Sequence, residues 1–286
     1  MAPQKRTLSL AHLTLLDVSP PDLVRIAAEA GFDAVGIRVQ AAHANEEPWP
    51  MLGDSVMLSA TEANLRSEGL RVLDVEVIRL RPDIQSAEYR PLLEAGARLG
   101  ASFVVVVNDD PSIARAADHF SELCQAARPF EILPVIEPMA YTKARTLADA
   151  FEIASSDSAH PGGVLIDALH FQRLGGRPQD LKEFAEDLFP YMQACDAPLL
   201  LPTDFERPAR LPRGQSTDVA PIAMEGRAFR RIPGEGELPL LELLRALPPN
   251  IPISVEAPCF PLQQTLSPQE LATRAATATR RLIANL

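Results

Sequence analysis

Short apolar runs alternate along this chain with longer segments in which apolar residues recur every three or four positions, which reads as strand alternating with helix. Thr7–Thr14 is a β-branched and leucine-rich run predicted as a strand, and Pro21–Ala30 follows as a helix that stops at Gly31. Phe32–Arg38 is the second strand. A long polar loop with His43 and Trp49 leads from it to a helix over Ser59–Glu68, where Ser59 and Glu62 have capping-box spacing and Gly69 is the stop. The third strand, Arg71–Ile78, precedes a helix over Ser86–Leu99 that ends at Gly100. The fourth, Phe103–Val107, is an unbroken apolar run ending in Asn108-Asp109-Asp110, and such a run implies burial on both faces, as in a parallel sheet. A helix over Ser112–Ala127 lies behind it.

The second half continues the alternation less regularly. Leu133–Ile136 ends at Glu137 and precedes a helix over Arg145–Ser155; Val164–Ile166 ends at Asp167 and precedes one over Gln179–Leu188. Tyr191–Cys195 is a weak seventh strand, separated by a Pro- and Arg-rich stretch from a helix at Leu238–Leu247. Ile251–Glu256 and a terminal helix over Pro268–Ala284 complete the series. Eight strand–helix units in one chain of 286 residues predict a single α/β domain, a closed (β/α)8 TIM barrel over residues 1–286. A long loop at about 196–237 is expected over its mouth, as a lid or an oligomer contact. The competing open doubly wound sheet would carry a glycine-rich first turn, and Ser19-Pro20-Pro21 holds none.

A barrel brings the C-terminal ends of all its strands to one face, so Glu137, Asp167, Gln193 and Glu256 are expected to converge on half of the mouth. Carboxylates so gathered repel one another, and a bound divalent cation removes that cost. His170 follows Asp167 by three residues. His12, Arg38 and Asn108, at the ends of the first, second and fourth strands, and Glu76 within the third face the same mouth if the register holds, and are secondary candidates for binding substrate. Arg227, Arg230 and Arg231 form a basic group in the long loop, of which Arg227 is chosen as a clamp for a substrate oxygen or phosphate. His43, His119 and His160 are read as ordinary surface residues.

Composition narrows the partners. The 38 acidic residues outnumber 27 Lys and Arg, giving −11, which disfavours nucleic acid and anionic membranes. No run is long enough to span a bilayer and no leader is evident, so a cytoplasmic protein is expected. Cys124, Cys195 and Cys259 are too few and too scattered for a disulfide framework or a zinc cluster.

The Ile-Glu-Pro strand ending, the Asp167-x-x-His170 pair, Asp196 after a short polar strand, the Pro233-Gly234-Glu235-Gly236-Glu237 loop and the Val255-Glu256 ending together resemble the xylose isomerase-like TIM barrels, the sugar isomerase and epimerase superfamily. The resemblance implies Glu137, Asp167 and Glu256 as metal ligands, His170 beside substrate and a possible homo-oligomer. Gln193 stands where the family usually has histidine. With Gln193 coordinating, the shell is all oxygen and favours Mn²⁺ or Mg²⁺ over zinc. The chemistry implied is proton abstraction next to a polarised carbonyl of a sugar or related polyol ketone, with Glu137 and Glu256 as the proton-transfer pair. The outcome is isomerisation or epimerisation; the alternatives are dehydration or lyase chemistry on a 3-oxo sugar, a dehydroshikimate-like ring or an inositol derivative, and a non-catalytic barrel that binds a sugar-like ligand. An abasic-site nuclease is disfavoured by five histidines and the net negative charge.

Overall fold

A computed structural model describes residues 6–157 and 159–286. Its strands are β1 (Leu8–Leu10), β2 (Ala34–Arg38), β3 (Arg71–Leu80), β4 (Phe103–Asn108), β5 (Leu133–Ile136), β6 (Gly163–Val164), β7 (Ile166–Asp167), β8 (Met192–Ala194) and β9 (Ile253–Val255). All pairings between these strands are parallel, in the order β6-β5-β4-β3-β2-β1-β9-β8-β7. Only Leu165 separates β6 from β7, and its N–H donates to Ile136 O at 2.9 Å. The two pieces are therefore one interrupted strand, and the ring closes as the eight-position barrel of the α/β class.

The helices are α1 (Pro20–Glu29), α2 (Val56–Glu68), α3 (Arg90–Leu99), α4 (Ile113–Ala127), α5 (Leu147–Ala154), α6 (Ala168–Arg173), α7 (Pro221–Ala228), α8 (Leu240–Ala246), α9 (Phe260–Gln263) and α10 (Pro268–Ile283). The glycine stops read from the sequence hold at Gly69 and Gly100, whose φ of 67° and 69° is the left-handed region that ends a helix with least strain. α4 and α10 begin within a residue of expectation because Ser112 and Ser267 accept the N–H of Arg115 and Glu270.

Along β4, Val104 and Val106 pack outward into the large core under the helices, while Val105 and Val107 join Val135, Leu165 and Tyr191 in a smaller inner cluster. Each such buried side chain stabilises the fold by roughly 1.5–3 kcal/mol. The valine run is two-sided because both of its faces are covered.

Several expectations fail at the ends of elements. β1 stops at Leu10, and residues His12–Leu15 turn into a 3-10 helix, so the first strand is shorter than Thr7–Thr14. The cap of α2 is Ser55, whose oxygen accepts from Leu58 N, and Ser59 lies inside the helix. Gln179–Leu188 forms two 3-10 turns, Pro178–Glu183 and Glu186–Leu188, in place of a helix, and the α-helix of that unit is the earlier α6, started by Asp167. The 196–237 stretch contains α7 and pairs back through Asp196 with Arg231.

Candidate active site and cation centre

Register sets the site. Asp167 lies opposite Gln193 across β7 and β8, Gln193 lies opposite Ser254 across β8 and β9, and Glu256 N–H donates to Ala194 O at 3.0 Å. On the other flank Glu137 follows β5, with its N–H on Val106 O at 2.8 Å. The structure thus brings Glu137, Asp167, Gln193, Glu256 and His170 together, all buried. The cleft above them opens to solvent and is lined on one side by Val77, Val105, Val107 and Met139.

Asp167 divides its two oxygens. Oδ1 caps α6 by accepting His170 N–H at 2.8 Å, and Oδ2 lies 2.6 Å from Arg230 Nη1. That Nη1 also stands 3.0 Å from Glu256 Oε2, while Nη2 donates to His170 Nε2 at 3.2 Å. Arg230 is 1% exposed and its Nε is fixed on Gly226 O at 2.8 Å, so it reaches back from just beyond α7 into the centre of the site. Gln193 Nε2 donates to Glu256 Oε1 at 3.0 Å.

The carboxyl groups differ in charge state for physical reasons. Burial would raise Asp167, but Arg230 and the His170 pair hold it below the ordinary aspartate value. Burial pushes Glu137 well above the glutamate range, helped by the negative charges of Glu256 and Asp167. Glu256 rises to about 8 because burial, with Glu76 and Asp167 nearby, outweighs the attraction of Arg230. Burial lowers His170 to about 4 despite Asp167, so its ring is neutral at pH 7. Since Nε2 accepts from Arg230, the ring proton sits on Nδ1. Nε2 also lies 3.8 Å from Glu137 Oε1 and 3.4 Å from the Tyr141 hydroxyl.

Arg230 already neutralises the facing oxygens of Asp167 and Glu256, so a cation bound by those two alone would have to displace the guanidinium. The open acceptors are Glu137 Oε1 and Gln193 Oε1, both buried without a hydrogen-bond partner. Glu137, Asp167 and His170 offer ligand atoms that all lie within 4.8 Å of one another, a set that can hold a metal ion. Two unpartnered oxygens beside carboxyls whose charged form burial disfavours are the environment a divalent cation relieves, so the residues fit one.

Of the remaining candidates, Glu76 lines the cleft and is bound by Arg38 at 2.7 Å, with Glu46 on the other side of that guanidinium at 3.0 Å. Arg227 also lines it. His12 does not: Nε2 lies 2.9 Å from Val18 O and Nδ1 accepts Arg38 N–H, so both ring nitrogens are taken up by backbone once the strand ends early. The Asn108 side chain is likewise closed on its own loop, accepting from Asp110 N and donating to Asp110 O. His43, expected at the surface, lines the cleft, as do Tyr141 and Gln215. Arg230 was visible only as one member of a basic group, and no periodicity marked Glu46 or Asp74 as buried.

Residues 24–282 match the family described as Xylose isomerase-like TIM barrel. The chain belongs to that family. Among solved structures, the IolI protein with a bound zinc atom superposes with a TM-score of 0.73 at 20% identity, covering 98% of each chain. D-allulose 3-epimerase from Methylomonas sp. gives 0.65 at 14% identity over 98% of this chain and 99% of that one. The probable 3-DHS dehydratase AsbF from Bacillus anthracis gives 0.69 at 12% identity over 96% and 98%. These likenesses show the xylose isomerase-like fold, whose members are mostly enzymes of the isomerase, epimerase and dehydratase kinds. No curated protein sequence matches. Among the described residues no helix is long and apolar enough to cross a membrane, and all three cysteines are buried free thiols.

Proposed function

We propose that this chain is a cytoplasmic enzyme that abstracts the proton next to the carbonyl of a small sugar-like ketone, dependent on Mn²⁺ or Mg²⁺ and giving isomerisation or epimerisation. The observation that supports it most is the pair of buried carboxyls on β5 and β9, Glu137 raised well above its ordinary range and Glu256 raised to about 8. Two carboxyls whose hold on a proton is strengthened, and which follow strands separated by two others, can remove a proton from one side of a bound carbon and return it on another. Glu137 and Asp167, with Gln193 Oε1 turned inward, would hold the cation, whose chemistry is Lewis-acid polarisation of the carbonyl, and His170 would join them only where its Nε2 exchanges Arg230 for the metal. Arg230 keeps Asp167 ionised and orients His170 through Nε2. The apolar wall of Val105 and Val107 excludes water from the reacting carbon.

A second reading, elimination of water from a 3-oxo or ring substrate, is favoured by a different distance. Neutral His170 Nε2 and Glu137 Oε1, the latter on a carboxyl whose protonated form burial favours, are 3.8 Å apart. A base and an acid on the same face suit removal of a proton and protonation of a neighbouring hydroxyl. The two readings separate in D₂O with a panel of ketoses and 3-oxo sugars: deuterium uptake at unchanged composition indicates isomerisation, loss of water indicates elimination, and neither across the panel would sink both. Metal content is measured alongside. Glu137→Gln and Asp167→Asn should each lose bound Mn²⁺ by at least tenfold, and full affinity in both would remove the proposed cation centre.

A further inference from the structure

The cations of the cleft are not equivalent. Arg38 is paired with Glu46 and Glu76, Arg79 with Asp109 at 2.6 Å, and Arg230 with Asp167 and Glu256. Arg227 lines the same cleft without a carboxylate partner among the described residues. Its Nη1 donates to Ser216 O at 3.2 Å, its Nη2 to His43 Nδ1 at 3.4 Å, and its Nε is buried with no partner at all. A guanidinium stays charged in any protein, and one drawn out of water without an anion is costly. Burial disfavours its charge, and the repulsion of Arg79 and Arg38 is set against an attraction from Tyr141 and Glu46.

The place of this charge relative to the reactive groups is fixed by α7. A Cβ on Gly226 would meet the Tyr141 hydroxyl at 3.2 Å and His170 Cε1 at 3.4 Å, so the helix presses against the reactive end and Arg227 is the next residue along. His43 adds a donor. Its Nδ1 accepts from Arg227 and burial holds the ring neutral, so its proton is on Nε2.

We propose that Arg227, with His43 beside it, is a subsite for an oxyanion group of the substrate, a carboxylate or a phosphate, carried a few atoms from the carbon that reacts at Glu137 and His170. This rests on the reading of the mouth as a substrate site and narrows the substrate from a neutral sugar to a compact hydroxylated acid or sugar phosphate. The guanidinium fork matches two oxygens of either group, and the substrate supplies the counter-charge that the protein omits.

Three probes of one carbon skeleton test it: D-glucitol, D-gluconate and D-glucitol 6-phosphate, titrated calorimetrically into purified protein with Mn²⁺ and again with EDTA. At least one anionic probe should bind at least about tenfold tighter than glucitol, and which one does identifies the group. Arg227→Gln should abolish that preference and leave glucitol affinity within about twofold. Arg227→Lys, which keeps charge without the fork, should retain more of a phosphate preference than of a carboxylate one, and it decides the matter if Arg227→Gln does not fold. Anions that bind no tighter than glucitol, anions that show no binding at 10 mM, or an equal weakening of all three probes in Arg227→Gln would overturn the subsite. Because the readout is binding, a failure of deuterium exchange alongside an intact anion preference would count against the proposed reaction and not against Arg227.

Discussion

Replacing Arg230 by methionine tests whether the guanidinium is the charge around which the mouth is built. The substitution keeps the aliphatic stem and removes a cation 2.6 Å from Asp167 and 3.0 Å from Glu256, with donors to His170 Nε2 and Gly226 O lost as well. Removing one partner of a buried ion pair typically costs 3–5 kcal/mol, because the remaining charge has no compensation. For a chain of 286 residues the unfolding entropy is about 0.6 kcal/mol per degree, so the melting temperature should fall by roughly 5–8 °C at pH 7.5. With Arg230 gone, only His170 still draws Asp167 down, and both carboxyls should take up protons at higher pH. The deficit relative to the parent protein should therefore shrink as the pH is lowered from 7.5 towards 5. Excess Mn²⁺ should restore part of it by binding the folded state alone. Scanning calorimetry at several pH values, with and without Mn²⁺, measures all three effects. A loss under about 1 kcal/mol, constant with pH, would show that Asp167 and Glu256 do not depend on Arg230.

Two further outcomes concern stability away from the cleft. His12 is held neutral by burial, with its value lowered to about 4, whereas the unfolded chain takes up that proton near 6.5. The folded form is therefore favoured in full above pH 6.5 and loses about 3 kcal/mol as the pH falls towards 4; His12→Gln should flatten the urea-midpoint profile across that window, and an unchanged slope would contradict it. Asp196 accepts Ala197 and Leu238 N–H on Oδ1 and Gly234 N–H on Oδ2, at 2.8 to 2.9 Å. Asp196→Ala leaves those donors unpaired at a cost of at least about 3 kcal/mol, and proteolysis between residues 199 and 236 should accelerate if that carboxylate anchors the loop.

The barrel and the acidic half of its mouth were legible because parallel strands buried on both faces are short apolar runs, and the residue that ends such a run has one place to go. Glu137, Asp167 and Glu256 follow from that regularity. His12 and Asn108 do not, since each lies where the chain leaves the strand to make a turn, and the turn uses their polar atoms locally. Arg230 was obscured for the opposite reason. It lies in a Pro- and Arg-rich stretch without helical or strand period, yet the antiparallel bridge between Asp196 and Arg231 fixes the backbone beside it and directs it inward. Nor does any pattern distinguish Glu46, the buried partner of the strand-end Arg38, from solvated loop charges.

Asp167 carries a consequence for anyone altering this barrel. One of its oxygens starts α6 and the other fixes Arg230, so a substitution there loosens the scaffold and the reactive centre at once, and lost turnover in such a variant has two inseparable origins. Glu137 has a free oxygen and no helix depends on its side chain. Retuning the chemistry of this protein is therefore better begun on β5 and at α7, leaving Asp167 as it is.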